Sequence, residues 1–249
     1  RKQLAWETGH EEIDVKLVQK EINDLEWVVQ DVCDPVEIEC NIDYIVHAAS
    51  QASPKYYGID PVGTLSANVL GTANMLNLAA KNNVKGFLFF SSSEIYGHVD
   101  PSQIPLKENS YGYIDPLHVR PCYAESKKLG ETMCISWMHQ YGVPIKIVRI
   151  FHTYGPGMKL DDGRVFADFV SDVVNGRDIV MHSDGKAIRA FCYLSDAIIA
   201  FFTVILKGEI GQAYNIGNDE AEISIIDLAN LLVSLYPEKK MKVIKQDES

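Results

Sequence analysis

Three stretches decide the architecture: Asp43-Tyr-Ile-Val-His-Ala-Ala49, Lys85-Gly-Phe-Leu-Phe-Phe90 and Pro144-Ile-Lys-Ile-Val-Arg-Ile-Phe151. Each is nearly continuous in apolar character, the texture of a strand covered on both faces of a parallel sheet. Glu26-Trp-Val-Val-Gln-Asp31 has the same texture and reads as a strand before them. Helical stretches lie between, at about 61–82 and about 122–141. Strand alternating with helix predicts an α/β protein built on a doubly wound parallel sheet.

After Phe151 the texture changes. Gly155-Pro-Gly157 breaks the chain, and shorter elements are expected beyond it. They are a helix near 164–175, a strand near 178–182, a helix near 194–207, a strand near 213–216 and a helix near 223–235. Residues 1–151 are therefore expected to form the main domain, and 152–249 a smaller C-terminal lobe interwoven with the sheet. The sequence opens on Arg1 and closes on Gln246-Asp-Glu-Ser249 without a finishing element, so both ends are expected to be truncated.

With 249 residues, 47% of them hydrophobic, the chain can bury a sizeable core. Its net charge of −11 repels phosphate backbones, so no nucleic-acid partner is expected. A phosphorylated small molecule in a locally basic pocket stays open. The longest apolar block, Ala197 to Leu206, is too short to span a bilayer, and no membrane association is expected. Cys33, Cys40, Cys122, Cys134 and Cys192 are scattered and odd in number, which suits reduced thiols in the cytoplasm. The seven histidines show no HxxxH or HxH spacing, and no metal site is expected.

Tyr123-Ala-Glu-Ser-Lys127 opens the helix near 122–141 and puts Tyr123 and Lys127 on one face. Gly130 and Cys134 continue that stripe and are small, leaving room for a ligand. Leu129, Met133, Trp137 and Tyr141 are expected to form the packing face. An ammonium beside a phenol lowers its pKa by roughly 1–3 units, which would make Tyr123 a usable base for a hydroxyl proton. Ser91, Ser92, Ser93 and Glu94 follow the end of a buried strand, where ligand crevices of open α/β sheets lie. A serine there can hydrogen-bond a reacting oxygen. His47-Ala-Ala-Ser50 ends another strand, and its small residues let a flat cofactor approach the backbone.

These segments together resemble the extended short-chain dehydrogenase/reductases, the NAD-dependent epimerase/dehydratase family. The marks are Asp31-Val-Cys-Asp34, His47-Ala-Ala-Ser-Gln-Ala-Ser53, Asn68-Val-Leu-Gly-Thr72, Ser91-Ser-Ser-Glu-Ile-Tyr-Gly97, Tyr123-x-x-x-Lys127, Arg149-Ile-Phe-His-Thr-Tyr-Gly-Pro156, Arg189 and Tyr214-Asn-Ile-Gly217. The resemblance implies a Rossmann-like NAD-binding domain over 1–151 and a mainly substrate-binding lobe over 152–249. It implies that Asp31 and Val32 contact the adenine end of NAD, and that Ala48, Ala49, Ser50, Asn68, Ser91 and Ile150 line the cofactor. Lys127 would hold the nicotinamide ribose, and Ser92 and Tyr123 the reacting hydroxyl. It also implies a homodimer paired through the helices near 61–82 and 122–141. The family's Gly-rich turn, whose backbone N–H groups bind the pyrophosphate, is missing, because no GxxGxxG occurs. The first strand-helix unit is expected to precede Arg1, and the chain by itself is expected to bind NAD weakly or not at all.

Within the family, Cys122-Tyr-Ala-Glu-Ser-Lys-Lys-Leu-Gly-Glu-Thr-Met133, Asp161-Asp-Gly-Arg-Val165 and Arg189-Ala-Phe-Cys-Tyr-Leu-Ser-Asp196 are most similar to UDP-glucuronate decarboxylases. The order Ser92-Ser93-Glu94 agrees with them, since Ser93 is a poor acid for the step a 4,6-dehydratase needs. Glu94 would position the sugar or relay a proton. Ser93, His152, Arg164 and Arg189 are the expected substrate contacts, the arginines for a diphosphate or carboxylate. His152 stands where the decarboxylases carry asparagine, and Ser66 where they carry lysine. A 4,6-dehydratase, a 4-epimerase and a non-catalytic sugar-nucleotide-binding relative therefore stay open as alternatives.

Overall fold

The computed structural model describes residues 26–246. Its centre is a parallel sheet of four strands in the order β1-β2-β3-β7: β1 (Tyr44–His47), β2 (Gly86–Ser92), β3 (Ile145–Ile150) and β7 (Ala213–Ile216). Register is set by neighbours such as Phe89 beside His47 and beside Ile147. Phe87, Leu88 and Phe89 are fully buried, so β2 is covered on both faces as its apolar run demands.

The helices that follow the strands cover those faces. After a short helix α1 (Pro54–Tyr57), α2 (Pro61–Asn82) starts at an Asp60 cap that accepts from the Gly63 amide. Helix α3 (Cys122–Tyr141) ends at Gly142, whose φ of 72° is the left-handed geometry that suits glycine at a helix end. Both lie on one face, where Leu76, Ala79, Phe87, Phe89, Cys134, Ile145 and Ile147 form a core. Helix α5 (Leu194–Lys207) covers the other face through Leu88, Val148, Ala197, Val204 and Ile205.

Beyond β3 the chain leaves and re-enters this sheet. Strands β4 (His152–Tyr154), β6 (Ile188–Tyr193) and β8 (Glu222–Ser224) form a small sheet, and β5 (Ile179–Met181) pairs with β9 (Val243–Lys245). Helices α4 (Val165–Val174) and α6 (Ile225–Ser234) enclose a further core of Phe169, Val173, Ile179, Phe191 and Leu228. Strands β4, β6, β8 and β9 and helix α1 were not among the expected elements.

Two expectations are corrected. Glu26-Trp-Val-Val-Gln-Asp31 forms no strand among the described residues, and Trp27 and Val29 are exposed. A strand needs a ladder partner, and none of the described strands pairs with this segment. The expected faces of α3 are only half right. Met133 and Trp137 pack on the core as expected, but Leu129 and Tyr141 are exposed, and Tyr123, Lys127, Gly130 and Cys134 are buried against the sheet. The small stripe lets the helix approach the sheet: the Phe89 ring fills the space where a Gly130 side chain would stand. It leaves no room there for a ligand.

None of the five cysteines is bridged. Among the described residues no helix is long and apolar enough to cross a membrane, and no His/Cys/Asp/Glu group is arranged to hold a metal ion.

Candidate active site

The carboxyl end of β2 meets the first turns of α3 along three successive residues. The Lys127 ammonium donates to the Phe90 carbonyl at 2.8 Å, the Ser91 hydroxyl donates to Glu131 at 2.6 Å, and the Ser92 hydroxyl stands against the Tyr123 phenol. Ser92 also caps the 3-10 turn Ser93–Tyr96, accepting from the Glu94 amide at 3.2 Å. One strand end thus fixes the positions of Tyr123, Ser92, Ser93 and Glu94 together.

The Tyr123 ring is buried. Tyr57 of α1 lies almost flat on it, with ring centroids 5.0 Å apart and planes 15° from parallel. The Tyr57 hydroxyl donates to the Ala52 carbonyl, which fixes the stack. Burial pushes the Tyr123 pKa above the ordinary phenol value; the nearby Ser92 hydroxyl opposes this, the Glu94 charge adds to it, and the Arg164 charge opposes it. This corrects the expectation that Lys127 acidifies the phenol. The Lys127 ammonium is turned to the Phe90 carbonyl, 5.9 Å from the centre of the Tyr123 ring, and its own pKa falls to about 8 because it is buried.

Glu94 and Arg164 place opposite charges at the phenol. Arg120 stands 3.8 Å from Glu94, and Arg164 pairs with Asp162. His152 lies close to both Arg164 and Arg189. The protein around the ring, and then the two guanidinium charges, lower the His152 pKa to about 4, although the side chain opens to solvent. The structure therefore brings Ser92, Glu94 and Arg164 close to Tyr123, with Ser93 in the same turn, and Arg164 and Arg189 close to His152. Sequence reasoning missed Tyr57, Arg120, Glu131 and Arg149. Glu131 and Arg149 sat inside quoted motifs, but Tyr57 lies in a segment of no periodicity.

The expected cofactor residues flank the same strand ends. At the end of β1, Ala48 and Ala49 are exposed and small. The Ser50 hydroxyl and the Asn68 side-chain oxygen are buried without a hydrogen-bond partner among the described residues. Buried polar atoms left this way call for a polar ligand, and a ribose or carboxamide supplies the matching groups. The residues present thus fit the nicotinamide end of NAD. The Ser91 hydroxyl is committed to Glu131, which leaves its backbone for such a ligand. Ile150 closes β3 beside Ser92 in the ladder. Asp31 and Val32 lie in a turn clipped to α2, where the Asn74 amide donates to the Val32 carbonyl at 3.0 Å and Val32 packs on Gly71. The exposed Asp31 carboxylate accepts from the Cys33 amide, which lowers its pKa.

Similarity to known proteins follows the same residues. The chain is 37% identical to UDP-glucuronic acid decarboxylase 6 of Arabidopsis thaliana over 221 residues, covering 88% of this chain and 62% of that protein. It is 39% identical to UDP-glucuronic acid decarboxylase 1 of Danio rerio over 210 residues, covering 84% and 49%. It therefore spans less than two thirds of these relatives' length. The solved UDP-N-acetylglucosamine 4-epimerase of Methanobrevibacter ruminantium, in complex with UDP-N-acetylmuramic acid, superposes with a TM-score of 0.73 at 26% identity, over 83% of this chain and 64% of that one. The family model of the NAD dependent epimerase/dehydratases matches residues 6–217. On that match, and on the site its motifs build, the chain belongs to the NAD-dependent epimerase/dehydratase family.

Proposed function

We propose that this chain carries the reacting centre of an NAD-dependent nucleotide-sugar enzyme that works through a transient 4-keto sugar, with UDP-glucuronate decarboxylation as its reaction. The observation that carries the reading is the Tyr123 phenol close to the Ser92 hydroxyl at the end of β2, with the charges of Glu94 and Arg164 acting on the phenol. The relatives named UDP-glucuronic acid decarboxylase support the choice of sugar.

NAD, when bound, supplies the hydride acceptor and a positive ring that favours the phenolate. Ser50, Asn68, Ala48 and Ala49 would hold it at the end of β1, and Asp31 and Val32 would stand toward its adenine end. Tyr123 takes the proton of the C4 hydroxyl while Ser92 hydrogen-bonds the same oxygen. The C6 carboxylate is then beta to a ketone. As CO2 leaves, the C5–C6 electron pair enters the enolate, and C5 takes a proton relayed through Glu94. At the close of the cycle, when NAD would give its hydride back, Tyr123 returns its proton to the C4 oxygen. Lys127 would bind the cofactor ribose after leaving the Phe90 carbonyl. Arg189 and Arg164 fit the diphosphate and carboxylate, for which Arg164 must exchange Asp162 for substrate oxygen. In this reading residues 1–151 serve the cofactor and 152–249 mainly the substrate, and the enzyme is a homodimer paired through α2 and α3.

The test is to incubate the full natural chain with NAD and UDP-, dTDP-, GDP- and CDP-sugars. CO2 release from UDP-glucuronate is expected, and a 4-keto-6-deoxy product would instead make the enzyme a 4,6-dehydratase. Tyr123→Phe is expected to lower turnover at least a thousandfold with an unchanged circular dichroism spectrum. Full activity in that variant would refute the mechanism.

A further inference from the structure

Tyr123, Lys127 and Glu131 lie at i, i+4 and i+8 on α3, so they form one row facing the sheet. The three meet three consecutive residues at the end of β2, though not in helix order: Glu131 takes Ser91, Lys127 takes Phe90, and Tyr123 lies close to Ser92. Glu131 differs from the other two because it is held from a second strand. Arg149 of β3, beside Ser91 in the ladder, donates from Nε to one Glu131 oxygen at 2.9 Å and from Nη2 to the other at 2.8 Å. Both side chains are largely buried.

The Arg149 fork continues outward. Its Nη1 donates to the Tyr96 hydroxyl at 2.8 Å and to the Glu108 carbonyl at 2.7 Å. Tyr96 donates to the Asn215 side chain at 2.7 Å, and Asn215 donates to the Leu106 carbonyl at 3.0 Å. One guanidinium therefore joins α3, the turn after β2, the segment at 106–108 and the end of β7. The turn and α3 are the elements that bear Ser92, Glu94 and Tyr123.

We propose that Glu131 and Arg149 are a positioning pair that sets the height of α3 on the end of β2, and with it the Ser92–Tyr123 contact on which turnover depends. The inference rests on the reading of Tyr123 as the proton carrier. A pair that only stabilised the fold would be replaceable: apolar side chains of similar volume commonly substitute for a buried ion pair with no loss of stability. A positioning pair is not replaceable in that way, because apolar contacts lack its fixed two-point geometry.

The experiment uses the full natural chain and the double variant Glu131→Leu with Arg149→Met. Turnover of the sugar identified above is measured, and the Tyr123 titration midpoint is read by NMR on ring-labelled tyrosine, with Tyr123→Phe assigning the signal. The expected result is a folded variant whose kcat falls at least tenfold at nearly constant KM, with a displaced Tyr123 midpoint. A folded variant with kcat within twofold of the parent and an unmoved midpoint overturns the proposal. If the double variant does not fold, Ser91→Ala carries the test by removing one rung: a loss in kcat of about threefold or more with a displaced midpoint supports the pair's role, and unchanged values overturn it. If the parent turns over no nucleotide sugar, the proposed reaction fails, and the Tyr123 midpoint alone decides the role of the pair.

Discussion

His47 shows how a residue that reads as a cofactor neighbour is also a structural one. Its ring sits beneath α2 with Nε2 3.0 Å from the Thr72 hydroxyl, between the Phe87 and Phe89 rings. Burial, and then the Lys127 charge, lower its pKa to about 4. The unfolded chain binds a proton there below about pH 6.5, and the folded chain does not until about pH 4. Stability from this group is therefore complete above pH 6.5 and falls as pH drops toward 4. At about 1.4 kcal/mol per pH unit the loss is roughly 3 kcal/mol. Urea titrations at pH 7.0 and pH 4.5 should show the parent losing about that much more than His47→Gln, which cannot titrate; equal losses would refute the assignment. At the neighbouring Tyr123, sequence spacing found the right pair of residues and the wrong coupling. An i, i+4 relation places two side chains on one face but does not say which acceptor a long lysine reaches. The Phe90 carbonyl, on a strand distant in sequence, takes it.

At the scale of elements, α3 is legible in length and only partly in orientation. Its predicted limits, 122–141, are the observed ones, because Pro121 and Gly142 punctuate it on either side. Its inward face was assigned only in part: Met133 and Trp137 do pack on the core, but Leu129 and Tyr141 are exposed. The centre of the sheet-facing side needs the small Gly130 and Cys134, since the sheet contributes Phe87 and Phe89 there. Gly130→Ala separates the two forces at work. Alanine is better than glycine in a helix by about 1 kcal/mol. A Cβ here would stand 2.5 Å from the Phe89 ring, and such overpacking costs typically 1–3 kcal/mol. Overpacking should win, so thermal unfolding should show a lower midpoint for Gly130→Ala, with kcat reduced because Lys127 and Glu131 shift with the helix. A raised midpoint would mean that Phe89 moves aside freely. The segment Glu26–Asp31 failed for a different reason. Its apolar run is a strand signal, but pairing is a property of two segments, and a single sequence window carries only one of them.

At the scale of the whole molecule, the parallel sheet was readable because buried strands declare themselves. The site was only partly so, because Arg164 and Arg189 approach His152 from elements apart in the chain. The quaternary reading is the one most exposed to physical test. Each chain carries a net charge of −11, so two copies repel at long range and must be held by apolar contact. Helices α2 and α3 supply such surface, since Leu65 and Leu70 on one and Leu129 and Ile135 on the other remain exposed. Under the proposed pairing, sedimentation of the full natural chain should give a species of twice the chain mass. Raising salt should tighten that species, because screening weakens the repulsion while apolar contact persists. Placing glutamate at Leu70 and Leu129 together should yield monomers with an unchanged far-ultraviolet spectrum, because paired copies would bury four unpartnered carboxylates. A parent that sediments as one chain at every concentration, or a double variant that still pairs, would remove α2 and α3 as the interface.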